Sequence, residues 1–128
     1  NLLPVLSAVE NVELSLYGLS LSKTKMREAA IAMLAKVGLE QRAYHYPSEL
    51  SGGQQQRVGI ARALVHNPKL VMADEPTANL DSETASQIVQ LMRKLAHEQG
   101  TTFLVSSHDA RLMSKVDRTL SLTDGVLM

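Results

Sequence analysis

Four consecutive apolar residues, Leu70-Val71-Met72-Ala73, run straight into Asp74-Glu75-Pro76. A run of this kind, with no polar alternation, reads as a strand covered on both faces, as in a parallel sheet, with carboxylates at its C-terminal end. Asp81 or Ser82 then caps a helix in which Ile88, Leu91, Met92 and Leu95 share one face, with Gly100 beyond its end. Thr101 to Ser106 is β-branched and apolar, hence a second strand. Strand, helix and strand at this spacing form a βαβ unit, with parallel strands that put Asp74 and Ser107-His108 on the same edge. In open α/β sheets that edge is where ligands bind.

The rest of the chain is punctuated by helix and turn signals. Ser7-Ala8-Val9-Glu10 is a capping box and predicts a short helix from Ala8 towards Tyr17, stopping at Gly18. Met26, Ala30, Met33, Leu34 and Val37 recur at helical spacing, and Gly38 supplies the left-handed residue that closes such a helix. A third helix is expected from Gln54 to Leu64, between Ser51-Gly52-Gly53 and Asn67-Pro68. A short helix follows around Ala110 to Lys115, and the strands Arg118–Leu122 and Val126–Met128 flank Asp124-Gly125, a two-residue hairpin signal. Met26, Met33 and Met92 read as core filler, and His45, His66 and His97 as solvated side chains.

Charge and cysteine content narrow the function. Thirteen basic and thirteen acidic residues cancel, so no large positive field draws the chain onto nucleic acid or an anionic bilayer. Zero cysteines exclude disulfides and thiolate metal sites, which fits a reducing cytosol. The apolar runs fall far short of the ~20 residues that span a bilayer. Asn1-Leu2-Leu3-Pro4 has neither an initiator Met nor a signal-peptide pattern and reads as a cut end.

Three constellations carry chemistry. Two successive glycines in Leu50-Ser51-Gly52-Gly53-Gln54 let backbone approach a ligand, and the free N–H groups at a helix start favour an anion such as phosphate. The same residues also suit a plain turn and N-cap. Of the adjacent acids Asp74 and Glu75, one can hold Mg²⁺, largely through water, and the next can orient or deprotonate an attacking water. Two acids after a strand are equally a common loop start. His108 carries no periodic signal, and a solvated loop histidine is the plain alternative; its place beside the carboxylate edge would let it donate to a phosphate oxygen.

Taken in order, Leu50-Ser-Gly-Gly-Gln-Gln-Gln-Arg57, Ala61-Arg62-Ala63-Leu64, Leu70 to Thr77, Ala78-Asn79-Leu80-Asp81 and Ser107-His108-Asp109 resemble the ATP-binding-cassette (ABC) ATPases segment by segment. Asn1-Leu2-Leu3-Pro4, Glu10-Asn11-Val12-Glu13 and Pro76 to Asp81 are most similar to the lipoprotein-release and macrolide-export group within it. The resemblance implies a P-loop NTPase-like α/β fold. Residues 1–50 would form a helical subdomain that docks on a transmembrane partner. Residues 51–128 would hold the signature helix and the C-terminal part of a mostly parallel catalytic core.

The resemblance also implies roles. Ser51, Gly52, Gly53 and Gln54 match the signature motif, which contacts the γ-phosphate of ATP held by the other subunit of a head-to-tail dimer. Asp74 matches the Walker B acid, Glu75 the catalytic base, Leu80 and Asp81 the D-loop at the dimer interface, and His108 the switch histidine. The expected activity is ATP hydrolysis with Mg²⁺, coupled to transport by a permease at the inner face of the cell membrane, with no nucleic-acid partner. A soluble ABC ATPase without a permease and a non-catalytic interaction module are the rival readings. The family's phosphate loop, Gly-x-x-x-x-Gly-Lys-Ser/Thr, does not occur in these 128 residues, nor do its adenine-stacking aromatic and Q-loop glutamine. The residues present are therefore not expected to bind ATP appreciably by themselves.

Overall fold

The computed structural model describes residues 1–128. Helix α1 (Ala8–Glu13) begins at the expected capping box, where the Glu10 N–H donates to Ser7 Oγ at 3.3 Å and the Ser7 N–H to Glu10 Oε1 at 3.0 Å. It tightens into a 3-10 turn over Leu14–Leu16 before Gly18, which has φ +89. Asn11 is fully buried and ties down the opening segment: its Oδ1 accepts the Leu3 N–H at 2.9 Å, and its Nδ2 lies 3.1 Å from the Leu3 and Leu6 carbonyls.

Helix α2 (Lys23–Lys36) closes at Gly38 in the left-handed region, φ +79, and Arg57 Nη1 donates to the Val37 carbonyl at 2.9 Å. That bond fixes the α2 end to helix α3 (Gly52–Leu64). Helix α3 starts two residues earlier than expected, because both glycines adopt helical backbone behind the Ser51 cap. Helices α1, α2 and α3 pack together with α4 (Ser82–Gln99). One apolar cluster runs from Ala8 to Leu95, with Leu34, Val58, Leu64, Ile88 and Leu95 fully buried. Met26, Met33 and Met92 are core, as expected. His66 and His97 are exposed; His45 is half-buried.

Strands β1 (Leu70–Asp74) and β2 (Thr102–Ser106) pair in parallel, in register from Leu70 opposite Thr102 to Asp74 opposite Ser106, with α4 as the crossover. Buried Thr101 donates its hydroxyl to the Pro68 carbonyl at 2.8 Å and locks the starts of the two strands together. The expectation that β1 is covered on both faces fails. Val71, Ala73, Phe103 and Val105 lean on the helical core, whereas Leu70, Met72 and Leu104 on the other face are 55, 75 and 51% exposed. Helices α1 to α4 share the core on one side of the strands, and nothing among these residues packs on the other.

Short α5 (Ala110–Met113) follows β2 and buries Leu112. The chain ends in an antiparallel hairpin, β3 (Leu122–Thr123) and β4 (Val126–Leu127), whose Asp124 and Gly125 have φ +50 and +78. Two successive positive φ values are what a type I′ turn requires, as the Asp-Gly signal predicts. No helix is long and apolar enough to cross a membrane.

Candidate functional site

The parallel register sets the site. Because Asp74 lies opposite Ser106, the next residues, Glu75 and Ser107-His108, leave the sheet side by side. The Glu75 N–H donates to the Ser106 carbonyl at 2.9 Å, extending the ladder one step beyond the strand. Glu75 itself has φ +46, a left-handed backbone that is costly for a residue with a long side chain and that is concentrated at functional positions. It swings the chain into Pro76-Thr77, both buried.

Glu75 Oε1 lies 2.6 Å from His108 Nδ1. An ionised carboxylate can only accept, so Nδ1 carries the hydrogen and Nε2 faces outward, on an imidazole that is 91% exposed. Ser107 adds a second contact, its Oγ donating to Glu75 Oε2 at 3.4 Å while accepting the Asp109 N–H at 3.0 Å. Asp74 Oδ1 accepts the Ser106 hydroxyl at 2.5 Å, and no hydrogen bond engages Oδ2. Asp74, Glu75 and His108 are thus gathered at one rim, as the strand order predicts.

At that rim Asp74 is the residue that could hold a hydrated Mg²⁺. These residues contain no cluster of three or more metal-ligating side chains. Mg²⁺ in a nucleotide site is held by one or two protein oxygens and completes its shell with water and phosphate, and the open oxygen of Asp74 supplies such a ligand.

The second candidate group lies at the start of α3. Ser51 and Gln54 form a reciprocal capping box: the Gln54 N–H donates to Ser51 Oγ at 3.1 Å and the Ser51 N–H to Gln54 Oε1 at 2.9 Å. Ser51 and Gly52 are exposed and Gly53 is buried. The turn packs against the start of α4, since a Cβ placed on Gly52 would lie 3.4 Å from Leu80 Cδ2 and one on Gly53 only 2.5 Å from Thr84 Cγ2.

Asp81 caps α4, its Oδ2 accepting the Thr84 N–H at 3.1 Å and its Oδ1 the Thr84 hydroxyl at 2.5 Å. The Thr84 hydroxyl and then its amide hold this exposed carboxyl below the usual carboxylate range. The signature-like turn therefore meets Leu80 and the capped start of α4, while Glu75 meets His108. No hydrogen bond joins the two groups directly; residues 76–81 connect them.

The sequence places Ser107 beside His108 on the ligand edge but gives neither it nor Ser106 a role, and these two hydroxyls orient the two acids. The sequence likewise gives no role to Arg111, whose guanidinium grips Asp109. Small hydroxyl residues at a strand end and an exposed arginine carry no periodic signal. The adjacency of Ser107 to His108, across the strand pair from Glu75, was the available clue.

Known proteins resemble this chain in sequence and fold. Two relatives named lipoprotein-releasing system ATP-binding protein LolD, from Hyphomonas neptunium and Shewanella denitrificans, are each 47% identical, over 100 and 99% of this chain. The chain spans 56 and 54% of those relatives' lengths. Among solved structures, the dimeric post-hydrolysis state of the ATP-binding cassette MJ0796, bound to ADP and Pi, superposes with a TM-score of 0.80 at 46% identity. That match covers 98% of this chain and 56% of that one. A second dimeric structure of MJ0796, described as a bacterial ABC transporter cassette, gives 0.81 over the same coverage. The profile of the ABC transporter family matches residues 1–78. Together with the parallel strands that seat Asp74, Glu75 and His108 on one rim, these likenesses establish that the chain belongs to the ABC transporter family.

Proposed function

We propose that the protein carrying these residues is the ATP-hydrolysing subunit of an ABC transporter, and that this chain supplies the acid, the histidine and the signature turn of its catalytic cycle. The single observation that carries the reading is the 2.6 Å pairing of Glu75 with His108 at the rim where Asp74 emerges.

In this reading Glu75 receives the proton of the attacking water and sets its line of approach to the γ-phosphate. Its carboxylate side chain is 34% exposed, open enough to reach a water and held in place by Ser107 and His108. His108 presents its outward Nε2 to a γ-phosphate oxygen; with Nδ1–H already given to Glu75, donation from Nε2 requires the ring protonated on both nitrogens. Asp74 would hold Mg²⁺, which supplies charge neutralisation on the phosphates.

Ser51, Gly52, Gly53 and Gln54, with Asp81 beside them, form the face offered to the nucleotide of a second, head-to-tail subunit. Exposure of Ser51 and Gly52 supports that role, and the dimeric state of MJ0796 supports the arrangement. Residues 1–50 form the helical subdomain towards a permease, which places the subunit on the cytoplasmic face of a membrane. The names of the LolD relatives favour a lipoprotein-releasing system.

The test is Glu75→Gln in the full-length subunit. ATP binding and nucleotide-dependent dimerisation persist, and kcat falls roughly 10²- to 10⁴-fold, the usual worth of a general base. Near-normal turnover would discard the assigned role.

A further inference from the structure

We propose that Arg111 is a positioning residue, tying the loop that carries His108 to the first turn of α4; the inference rests on the ATPase reading above. Arg111 donates through Nε to Asp109 Oδ1 at 3.0 Å and through Nη2 to Asp109 Oδ2 at 2.9 Å, the two-pronged grip that only a guanidinium makes. Its third nitrogen, Nη1, donates to the hydroxyl of Ser82, the residue immediately after Asp81. All three nitrogens therefore have protein acceptors, and the side chain acts as a strut between two loops.

The strut joins the two halves of the candidate site. On one side, Asp109 caps α5 and gives its N–H to Ser107 Oγ, which reaches Glu75 Oε2. On the other, Ser82 opens α4 beside Asp81, Thr84 and the glycines of the signature turn. A continuous path runs Glu75, Ser107, Asp109, Arg111, Ser82. The contact repeats farther along both elements, where Lys115 Nζ donates to Ser86 Oγ at 2.5 Å. Between the two contacts Leu112, Ala85 and Val89 line a cavity of about 50 Å³. Helix α5 has only four residues and too little apolar surface to hold its own angle. The Arg111 and Lys115 contacts set that angle, and with it the direction in which His108 leaves β2.

A strut of this kind affects turnover more than nucleotide affinity. In the full-length subunit, Arg111→Ala is expected to lower kcat about tenfold through misplacement of His108, with KM for ATP changed less than about twofold. Arg111→Lys keeps the charge but loses the fork, and is expected to fall nearly as far. Ser82→Ala gives a smaller loss of kcat, and the double variant is no slower than Arg111→Ala alone, because both remove one contact.

Wild-type kcat in Arg111→Ala overturns the proposal, as do additive losses in the double variant. So does a raised KM with kcat intact, which would make the guanidinium a nucleotide ligand. If Arg111→Ala fails to fold, Ser82→Ala decides, since it removes only an exposed hydroxyl and full kcat there overturns the strut. Glu75→Gln is assayed in parallel: if it turns over normally the ATPase reading fails, whereas a dead Glu75→Gln beside a normal Arg111→Ala sinks the strut alone.

Discussion

Gly53 shows how a single residue can serve packing where a ligand is the first suspicion. Its φ is not in the left-handed region, so the backbone makes no demand for glycine. The demand comes from Thr84, whose Cγ2 would lie 2.5 Å from an added Cβ, closer than atoms approach without something moving. Gly53→Ala is therefore expected to destabilise the full-length protein by about 1–3 kcal/mol through overpacking. Thr84→Ser removes the offending methyl and keeps the hydroxyl on Asp81, so it should recover most of that loss. Urea midpoints of the two single variants and the double variant measure the coupling; independent effects would show that the Gly53–Thr84 approach is not the cause. Glycine at 52 is less constrained, with ordinary contact to Leu80 at 3.4 Å. From sequence, Ser-Gly-Gly was ambiguous between a cap and an anion site. The structure shows the cap in full, with Ser51 and Gly52 exposed. Glu75 and His108 were legible for a different reason: strand direction alone brings them together. The roles of Ser107 and Arg111 were not, because a hydroxyl beside the histidine carries no signal of its own and Arg111 lies off the strands, with Ser82 29 residues away in sequence.

At the level of elements, the ends of helices and turns were readable because they depend on local chemistry. Ser7, Ser51, Gly38, Gly100 and Asp124-Gly125 each occupy the backbone conformation their side chains favour. The faces of β1 were not readable. Every residue from Leu70 to Ala73 is apolar, so the sequence carries no alternation to report that one face is open.

The cap of α4 carries a pH signature. Hydrogen bonds from Thr84 to Asp81 depress its carboxyl pKa in the folded state. A depressed carboxyl stabilises the fold above its unfolded pKa, near 4, and that contribution is lost as pH falls through the folded value, below about 4. Asp81→Asn should thus be less stable than wild type near neutrality, and the gap should close between about pH 5 and about pH 3. Denaturant midpoints for both proteins across that range test this; a gap that stays constant would mean the charged form has no special role in the cap.

For the molecule as a whole, the relevant quantity is how much of a nucleotide site these 128 residues can present at once. The proposed function gives the chain two phosphate-facing features. One is the Glu75–His108 rim and the other the Ser51-Gly52 turn, and no hydrogen bond joins them. The rim holds two carboxylates and one histidine, and Arg111, just beyond it in sequence, is already paired with Asp109. A triphosphate approaching it meets negative charge without a lysine or an amide cradle to offset it, and with a net charge of zero the chain supplies no long-range attraction. In the proposed head-to-tail pair the rim and the turn of one copy would serve different nucleotides, so neither would assist the other in a single chain. MgATP is therefore expected to bind the 128-residue polypeptide more weakly than about 1 mM, at most ~4 kcal/mol of binding free energy. Calorimetry measures this directly, with sedimentation run alongside because exposed Leu70, Met72 and Leu104 form an apolar strand face open to self-association. Dissociation constants near 10 µM, about 7 kcal/mol, would mean that the rim and the turn of one copy close on one nucleotide. The head-to-tail arrangement would then lose its physical reason.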